Sequence, residues 1–178
     1  WLDADLPDSC HQLMLALIAD GRASADEAWE RVRRLAEARR LSAAKAVVPW
    51  LASAEQPDSR SLDSAVNNPA TYLGRLPKNF SIDRAGRELA MIALARLARS
   101  DAASAAARWQ SIAHRFSGEE RGWVGAHLGH YAAQQHQSDA LAWYKSAGDT
   151  PLTEEQHAWK VRAALRAGNW RSVKSAIE

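Results

Sequence analysis

The sequence predicts an all-α chain: a right-handed superhelical array of antiparallel helical hairpins, about 11 helices over residues 1–178. Three observations carry that prediction. A helix, a tight turn and a second helix recur, most cleanly over residues 153–178, where one apolar-periodic run reaches Gly168-Asn169 and another starts at Trp170. Three capping boxes open helices: Ser24 with Glu27, Ser117 with Glu120, and Thr153 with Gln156. In each, the hydroxyl can accept from a free backbone N–H while the acid or amide three residues on reaches back. Period-2 alternation never persists, so no strand is predicted. A single hairpin cannot bury both of its faces, and copies therefore stack.

The repeat aligns residue by residue. Residues 32–48 match the last copy with Val32-Arg33 at Val161-Arg162, Ala38 at Ala167, Leu41 at Trp170, Lys45 at Lys174 and Val48 at Ile177. Residues 97–112 and 132–147 repeat the theme more loosely, with Trp109 and Trp143 in their second helices.

In chain order the pattern places helices over 9–20, 25–39, 41–53, 59–66, 69–75, 82–99, 102–115, 118–135, 139–147, 154–167 and 169–178. Asp101 and Ser138 are N-cap candidates, and Asn68-Pro69 combines an N-cap with Pro at the first helical position. Gly21, Gly148 and Gly168 stand where helices should stop, since glycine takes the left-handed conformation without a Cβ clash. Pro49 should end or kink the third helix, because it lacks an N–H and crowds the turn before it. Residues 54–80 contain Pro57, Pro69 and Pro77, which predicts an irregular elbow within a single α-superhelical segment spanning 1–178. Leu89, Ile92, Leu94, Ala95 and Leu97 give helix 82–99 a wide apolar face, with Arg84, Arg87, Arg96 and Arg99 largely elsewhere. Abundant alanine lets helix axes approach closely.

Charged residues make up 25% and hydrophobic ones 47%, an ordinary balance for a folded chain of net charge +2. Arginine supplies 18 of the 23 basic residues. It suits anionic partners, but it is also a good helix former. Acidic residues interleave throughout and no dense basic stripe forms, so no nucleic-acid partner is expected. No apolar run approaches the ~20 residues of a membrane span. The chain starts at Trp1 without Met, which fits an internal fragment of a larger protein from which a targeting segment has been removed. Cys10, alone in the sequence, can form no internal disulfide and reads as a small buried hydrophobe.

Chemistry is sparse. His127 and His130, three apart, could share a helix face, but a metal needs further ligands, and only His114, His136 and His157 are nearby in sequence. No Cys pair accompanies them, and no metal or cofactor is expected. Glu119-Glu120 and Glu154-Glu155 could suggest sugar chemistry. Each pair falls in the first turn of a helix, where a carboxylate complements the helix dipole and completes a cap. Gly122, Gly125 and Gly129 lack the strand and the Lys-Ser or Lys-Thr of a phosphate loop, and predict close helix packing instead. No nucleophile motif occurs, so no catalytic residue is assigned. The eight tryptophans at 1, 29, 50, 109, 123, 143, 159 and 170 are expected mainly in the core, with one or two left as stacking platforms for sugar or peptide.

Several runs resemble a known family. They are Leu2-Asp-Ala-Asp-Leu-Pro-Asp-Ser-Cys10, Gly21-Arg22, Trp29-Glu-Arg-Val-Arg33, Asn67-Asn68-Pro69, Arg87-Glu88-Leu89-Ala90 and the closing Trp159-Lys-Val-Arg-Ala-Ala-Leu-Arg-Ala-Gly-Asn-Trp170. Together they resemble the soluble lytic murein transglycosylases of Gram-negative bacteria, in the α-superhelical region that precedes the lysozyme-like catalytic domain. The resemblance implies a periplasmic parent enzyme that cleaves peptidoglycan between N-acetylmuramic acid and N-acetylglucosamine, leaving 1,6-anhydromuramoyl ends. Its catalytic Glu-Ser motif and its Gly-Leu-Met-Gln type motif are absent from these residues, so this chain should be inactive alone. The implied role is a scaffold that helps form a ring, positions murein and docks the parent's own C-terminal catalytic domain. In an oxidising periplasm, Cys10 becomes a candidate for a disulfide to a residue upstream of Trp1. The rival readings are a stand-alone tetratricopeptide-like adaptor for protein or peptide, and a metal-dependent hydrolase centred on His127 and His130. A solenoid cut from its neighbours should also expose apolar surface at both ends.

Overall fold

A computed structural model of the chain describes residues 8–175. Trp1, the stretch 2–7 of the first family-like run, and the Val48–Ile177 match at its Ile177 end lie outside the described residues. The described residues form eleven α-helices and no strand, as the capping and periodicity predict. None of these helices is long and apolar enough to cross a membrane. The chain divides into two compact units, Trp1–Ala93 and Leu94–Glu178.

The first unit holds α1 (Asp8–Ala19), α2 (Ala25–Glu37), α3 (Leu41–Val47), α4 (Ser59–Asn67), α5 (Pro69–Gly74) and the start of α6 (Arg84–Ser100). Trp29, Val32 and Leu35 of α2 are buried, as are Val47, Leu62, Val66 and Leu73. Pro49 stops α3 earlier than the periodicity alone suggests. The chain tightens there into a 3-10 turn, Val48–Trp50, that buries the Trp50 ring. Between 54 and 80 lie the end of a second 3-10 turn (Ser53–Glu55), α4, α5 and the turn into α6. Asp58 caps α4 by accepting from Ser61 N–H at 2.9 Å, a cap the sequence reading missed. Asn68 precedes Pro69 as expected but makes no side-chain cap bond.

The second unit holds the rest of α6, then α7 (Ala102–Ile112), α8 (Gly118–Gln134), α9 (Ala140–Ser146), α10 (Glu154–Arg166) and α11 (Trp170–Ser175). Asp101 caps α7 through Ser104 N–H at 2.9 Å. Gln135 ties two helix ends together: its Oε1 accepts from Ala102 N–H at 2.9 Å and its Nε2 donates to the Ala98 carbonyl at 2.8 Å. Ser138 is not the cap of α9. That position belongs to Asp139, whose carboxylate takes the Trp143 indole N–H at 2.9 Å instead of a backbone N–H. Gly125 and Gly129 let α9 lie directly on α8, and Gly122 admits the turn after α9, at Ala147 and Thr150. A Cβ at Gly125 would come within 2.6 Å of Ser146 Oγ, and one at Gly129 within 2.8 Å of the Tyr144 ring.

One expectation needs extending. The apolar face of α6 is buried and Arg99 is exposed, but the burial runs unbroken from Glu88 to Arg96 and takes in Arg96 as well. A helix buried all round has no polar stripe for a periodicity count to find.

The repeat holds at atomic detail. Helix α2 runs Ala25–Glu37 and α10 runs Glu154–Arg166, so the aligned copies start and stop at equivalent positions. Both open with a complete capping box, Ser24/Glu27 in one and Thr153/Gln156 in the other. Both close with the same pair of bonds. Arg39 N–H donates to Ala36 O and Arg40 N–H to Leu35 O; Gly168 N–H donates to Leu165 O and Asn169 N–H to Ala164 O. This is the Schellman closure, which requires a left-handed residue one position past the cap. Gly21, Gly148 and Gly168 fill that place with φ of 68°, 58° and 63°, but Arg39 and His136 fill it at φ 61° without being glycine.

The left-handed conformation costs an L-residue about 1–2 kcal/mol that glycine does not incur. Arg39→Gly and His136→Gly, both at exposed positions, are therefore expected to stabilise the fold by about 1 kcal/mol each, after the loss from glycine's freer unfolded chain is set against that relief. Urea denaturation would read this as a higher midpoint at unchanged slope. A lower midpoint for both variants would contradict the strain argument.

Candidate functional site

Helix α8 carries the densest group of chemically distinctive side chains in the second unit. Trp123, His127 and Tyr131 follow at intervals of four, which sets them along one helix face, and each is half-buried. The Trp123 and His127 rings stack with centroids 3.7 Å apart and planes 27° from parallel. His127 Nδ1 lies 2.9 Å from the Trp123 carbonyl oxygen. A carbonyl only accepts, so Nδ1 carries the proton and donates, and this fixes the tautomer of the neutral ring. His130 meets the Tyr131 ring edge-on at 4.9 Å. The Gln134 amide nitrogen lies 3.2 Å from His130 Nε2 and donates to Glu155 Oε1 at 3.4 Å, with that carboxylate 3.8 Å from His130 Nε2.

A second aromatic group joins Tyr131 of α8 to side chains of α9 and α10. Tyr131, Trp143 and Trp159 pack half-buried against a core of Ala102, Ala132, Ala133, Ala140, Tyr144 and Ala163. The Arg162 guanidinium sits 4.9 Å from the Trp159 ring centroid, a cation–π contact. Tyr144 donates its hydroxyl to the Gln156 carbonyl at 2.8 Å. Burial, and after it the Glu155 charge, raises the Tyr144 phenol well above the ordinary value.

These side chains can stack on a ring and exchange hydrogen bonds with it, but they include no activated nucleophile. His127 and His130 share a helix yet turn to different partners, the first to Trp123 and the second to Gln134, Glu155 and Tyr131. Among the described residues no three of His, Cys, Asp and Glu converge as a metal site would require. Glu120 closes its capping box on Ser117 at 2.7 Å, and Glu119, Glu154 and Glu155 stand in first turns. The tryptophans divide three ways. Trp29, Trp50 and Trp109 are core; Trp123, Trp143 and Trp159 are half-buried; Trp170 is 70% exposed. Cys10, on the first turn of α1, is half-buried and has no disulfide partner among the described residues.

The first unit contains a polar cluster of a different kind. Glu88, with its side chain only 3% exposed, accepts from Arg33 at 2.6 Å and faces Arg84 at 3.5 Å. Arg84 in turn holds Asp26 at 2.6 Å. Burial works against the Arg84 charge, but the Asp26 hydrogen bond and the Glu88 charge outweigh it, and the guanidinium stays protonated. Arg33 and Glu88 stand 55 residues apart, and no local pattern joins them. The Arg84–Glu88 spacing of four was the legible half of the signal.

No family model matches the sequence, and no curated protein matches it. A solved structure does: the X-ray structure of an inactive mutant of the lytic transglycosylase Slt from Pseudomonas aeruginosa, at 24% identity and a TM-score of 0.71. The match covers 99% of this chain and 29% of that one, so this chain has the fold of under a third of that protein.

Proposed function

We propose that this chain is the non-catalytic, α-superhelical scaffold of a periplasmic murein lytic transglycosylase. In this reading the parent cleaves the bond between N-acetylmuramic acid and N-acetylglucosamine and leaves 1,6-anhydromuramoyl ends. The observation that carries it is the whole-chain likeness to part of Slt, at a TM-score of 0.71. The family-like runs read from the sequence point the same way independently of the fold. The chain supplies stacked helical hairpins that present glycan strands and dock a C-terminal lysozyme-like domain. The half-buried Trp123, Tyr131, Trp143 and Trp159 suit this role, because an aromatic face packs against the apolar side of a sugar ring. Cys10 would pair with a cysteine upstream of Trp1 in the oxidising compartment.

The test compares two samples on purified sacculi: the polypeptide as the cell makes it, and residues 1–178. The long form is expected to release fragments with 1,6-anhydromuramoyl ends, and the short chain to sediment with sacculi while releasing none. A native polypeptide that ends at Glu178, or a longer one that yields only reducing ends, would reject the assignment. Intact mass of the same material reads Cys10, and a free thiol there would remove the disulfide from the proposal.

A further inference from the structure

A link between α8 and α10 passes through a titratable side chain. His130 is only 7% exposed, and its Nε2 faces two groups at once: the Gln134 amide nitrogen at 3.2 Å and Glu155 Oε1 at 3.8 Å. Glu155 belongs to the first turn of α10, and its side chain is 70% exposed. The same Gln134 nitrogen lies 3.4 Å from Glu155 Oε1. A carboxylate only accepts, so the amide turns its NH2 group toward Glu155 rather than its oxygen. The second N–H of that group then meets His130 Nε2, which has to accept it. The arrangement lasts only while Nε2 holds a lone pair, with the imidazole neutral and its proton on Nδ1.

Protonation undoes it. An imidazolium donates from both nitrogens, so Nε2–H would point at an N–H donor 3.2 Å away. Gln134 cannot answer by flipping, because its oxygen would then come against the Glu155 carboxylate. Glu155 can answer. Its exposed side chain has about 1 Å to travel to reach a charge-assisted hydrogen bond of about 2.8 Å. We propose that His130, Gln134 and Glu155 form a proton-operated exchange of partners. The Gln134 amide joins α8 to α10 when His130 is neutral, and a direct His130–Glu155 ion pair joins them when it is charged. An imidazole ordinarily titrates at about pH 6.5, which sets the exchange between about pH 5 and 8.

The elements packed on α8 bring groups that keep their state over that range. The Tyr144 ring of α9 lies against Gly129, and its hydroxyl stays a neutral donor to the Gln156 carbonyl, since burial and then the Glu155 charge push its ionisation well above the ordinary value. Arg96, buried on α6, Arg108, exposed on α7, and Arg166 of α10, which donates to the Ala133 carbonyl at 3.4 Å, remain cations throughout. Lys145 of α9 and His157 of α10 are exposed. Tyr131 meets the His130 ring edge-on at 4.9 Å, so charge on His130 falls beside the aromatic group of Tyr131, Trp143 and Trp159. Any effect of that charge on glycan contact rests on the scaffold reading; the exchange of partners does not.

The test is an NMR titration from pH 8 to pH 5 of the polypeptide as the cell makes it, labelled with 15N at histidine and glutamine. At pH 8 His130 should show a bare Nε2 and a protonated Nδ1. The Gln134 side-chain amide signals should then shift in step with His130 as it takes up its second proton. Two variants should move the His130 midpoint in opposite directions. Gln134→Met removes the donor that requires a neutral ring, and should raise the midpoint by about 0.5–1 on the pH scale, the worth of one hydrogen bond. Glu155→Gln removes the anion that receives the charged ring, and should lower it by about 0.2–0.7, the worth of an exposed ion pair. A proton on Nε2 at pH 8, a Gln134 amide indifferent to the titration, or variants that shift the midpoint the same way would each overturn the proposal. Anhydromuramoyl release scores the scaffold reading on the same polypeptide, so the two can fail separately.

Discussion

Glu88→Gln is expected to lower the unfolding free energy by about 3–5 kcal/mol, the usual cost of removing one member of a buried ion pair. Glutamine keeps the shape of the side chain but not its charge. Arg33, whose side chain is 15% exposed, then loses its 2.6 Å carboxylate while remaining a partly desolvated cation. Arg84 is better protected, because Asp26 still holds it at 2.6 Å. The cost should therefore come mainly through Arg33. A double replacement separates the loss of a bond from the stranding of a charge. Arg33→Met with Glu88→Met removes both charges, and apolar substitution of a whole buried pair is commonly neutral or stabilising. The double variant should recover most of what Glu88→Gln loses. Guanidinium chloride unfolding of the parent and the two variants measures this directly. A Glu88→Gln variant within about 1 kcal/mol of the parent would place the pair with screened surface bridges, which contribute about that much or less.

The Glu88 cluster shows where sequence reading stopped. Helix positions were legible because their signals are local. A capping box lies within four residues, and a Schellman closure within six, so Ser24, Ser117, Thr153, Gly21 and Gly168 announced themselves. The two-copy alignment added a longer-range check, and it predicted the register of α2 against α10. What stayed hidden was pairing across distance. Arg33 and Glu88 are 55 residues apart, and nothing in either neighbourhood marks the other. Helix α6 hid the burial of Arg96 for a related reason: burial on every side erases the polar face on which an amphipathic reading depends. Arg39 and His136 were missed because residue type alone does not reveal a left-handed backbone where glycine is the usual choice. At the candidate site, the i, i+4, i+8 row of Trp123, His127 and Tyr131 could have been read from spacing. The half-burial that leaves those rings partly open could not, since it depends on how α9 and α10 pack.

The glycine stripe of α8 makes the second large prediction. Gly129→Ala is expected to destabilise the protein by about 1–3 kcal/mol, the range for overpacking a well-filled contact. The sign is informative, because helix propensity alone would favour alanine in mid-helix by about 1 kcal/mol. The new Cβ would lie 2.8 Å from the Tyr144 ring. That ring has little room to retreat: it is buried, and its hydroxyl is held by the Gln156 carbonyl at 2.8 Å. The clash must therefore move α9 relative to α8 or break the Tyr144 anchor. Gly118 supplies the control within the same helix. A Cβ there meets nothing within 4 Å, so Gly118→Ala should be neutral or stabilise by about 0.5–1 kcal/mol. A double-mutant cycle identifies the cause. If the Tyr144 ring is the obstacle, Gly129→Ala should cost little in a Tyr144→Ala background, with a coupling energy of about 1 kcal/mol or more. Additive losses would instead mean that Gly129 is needed for some reason other than the approach of α9, and the packing account of the stripe would fail.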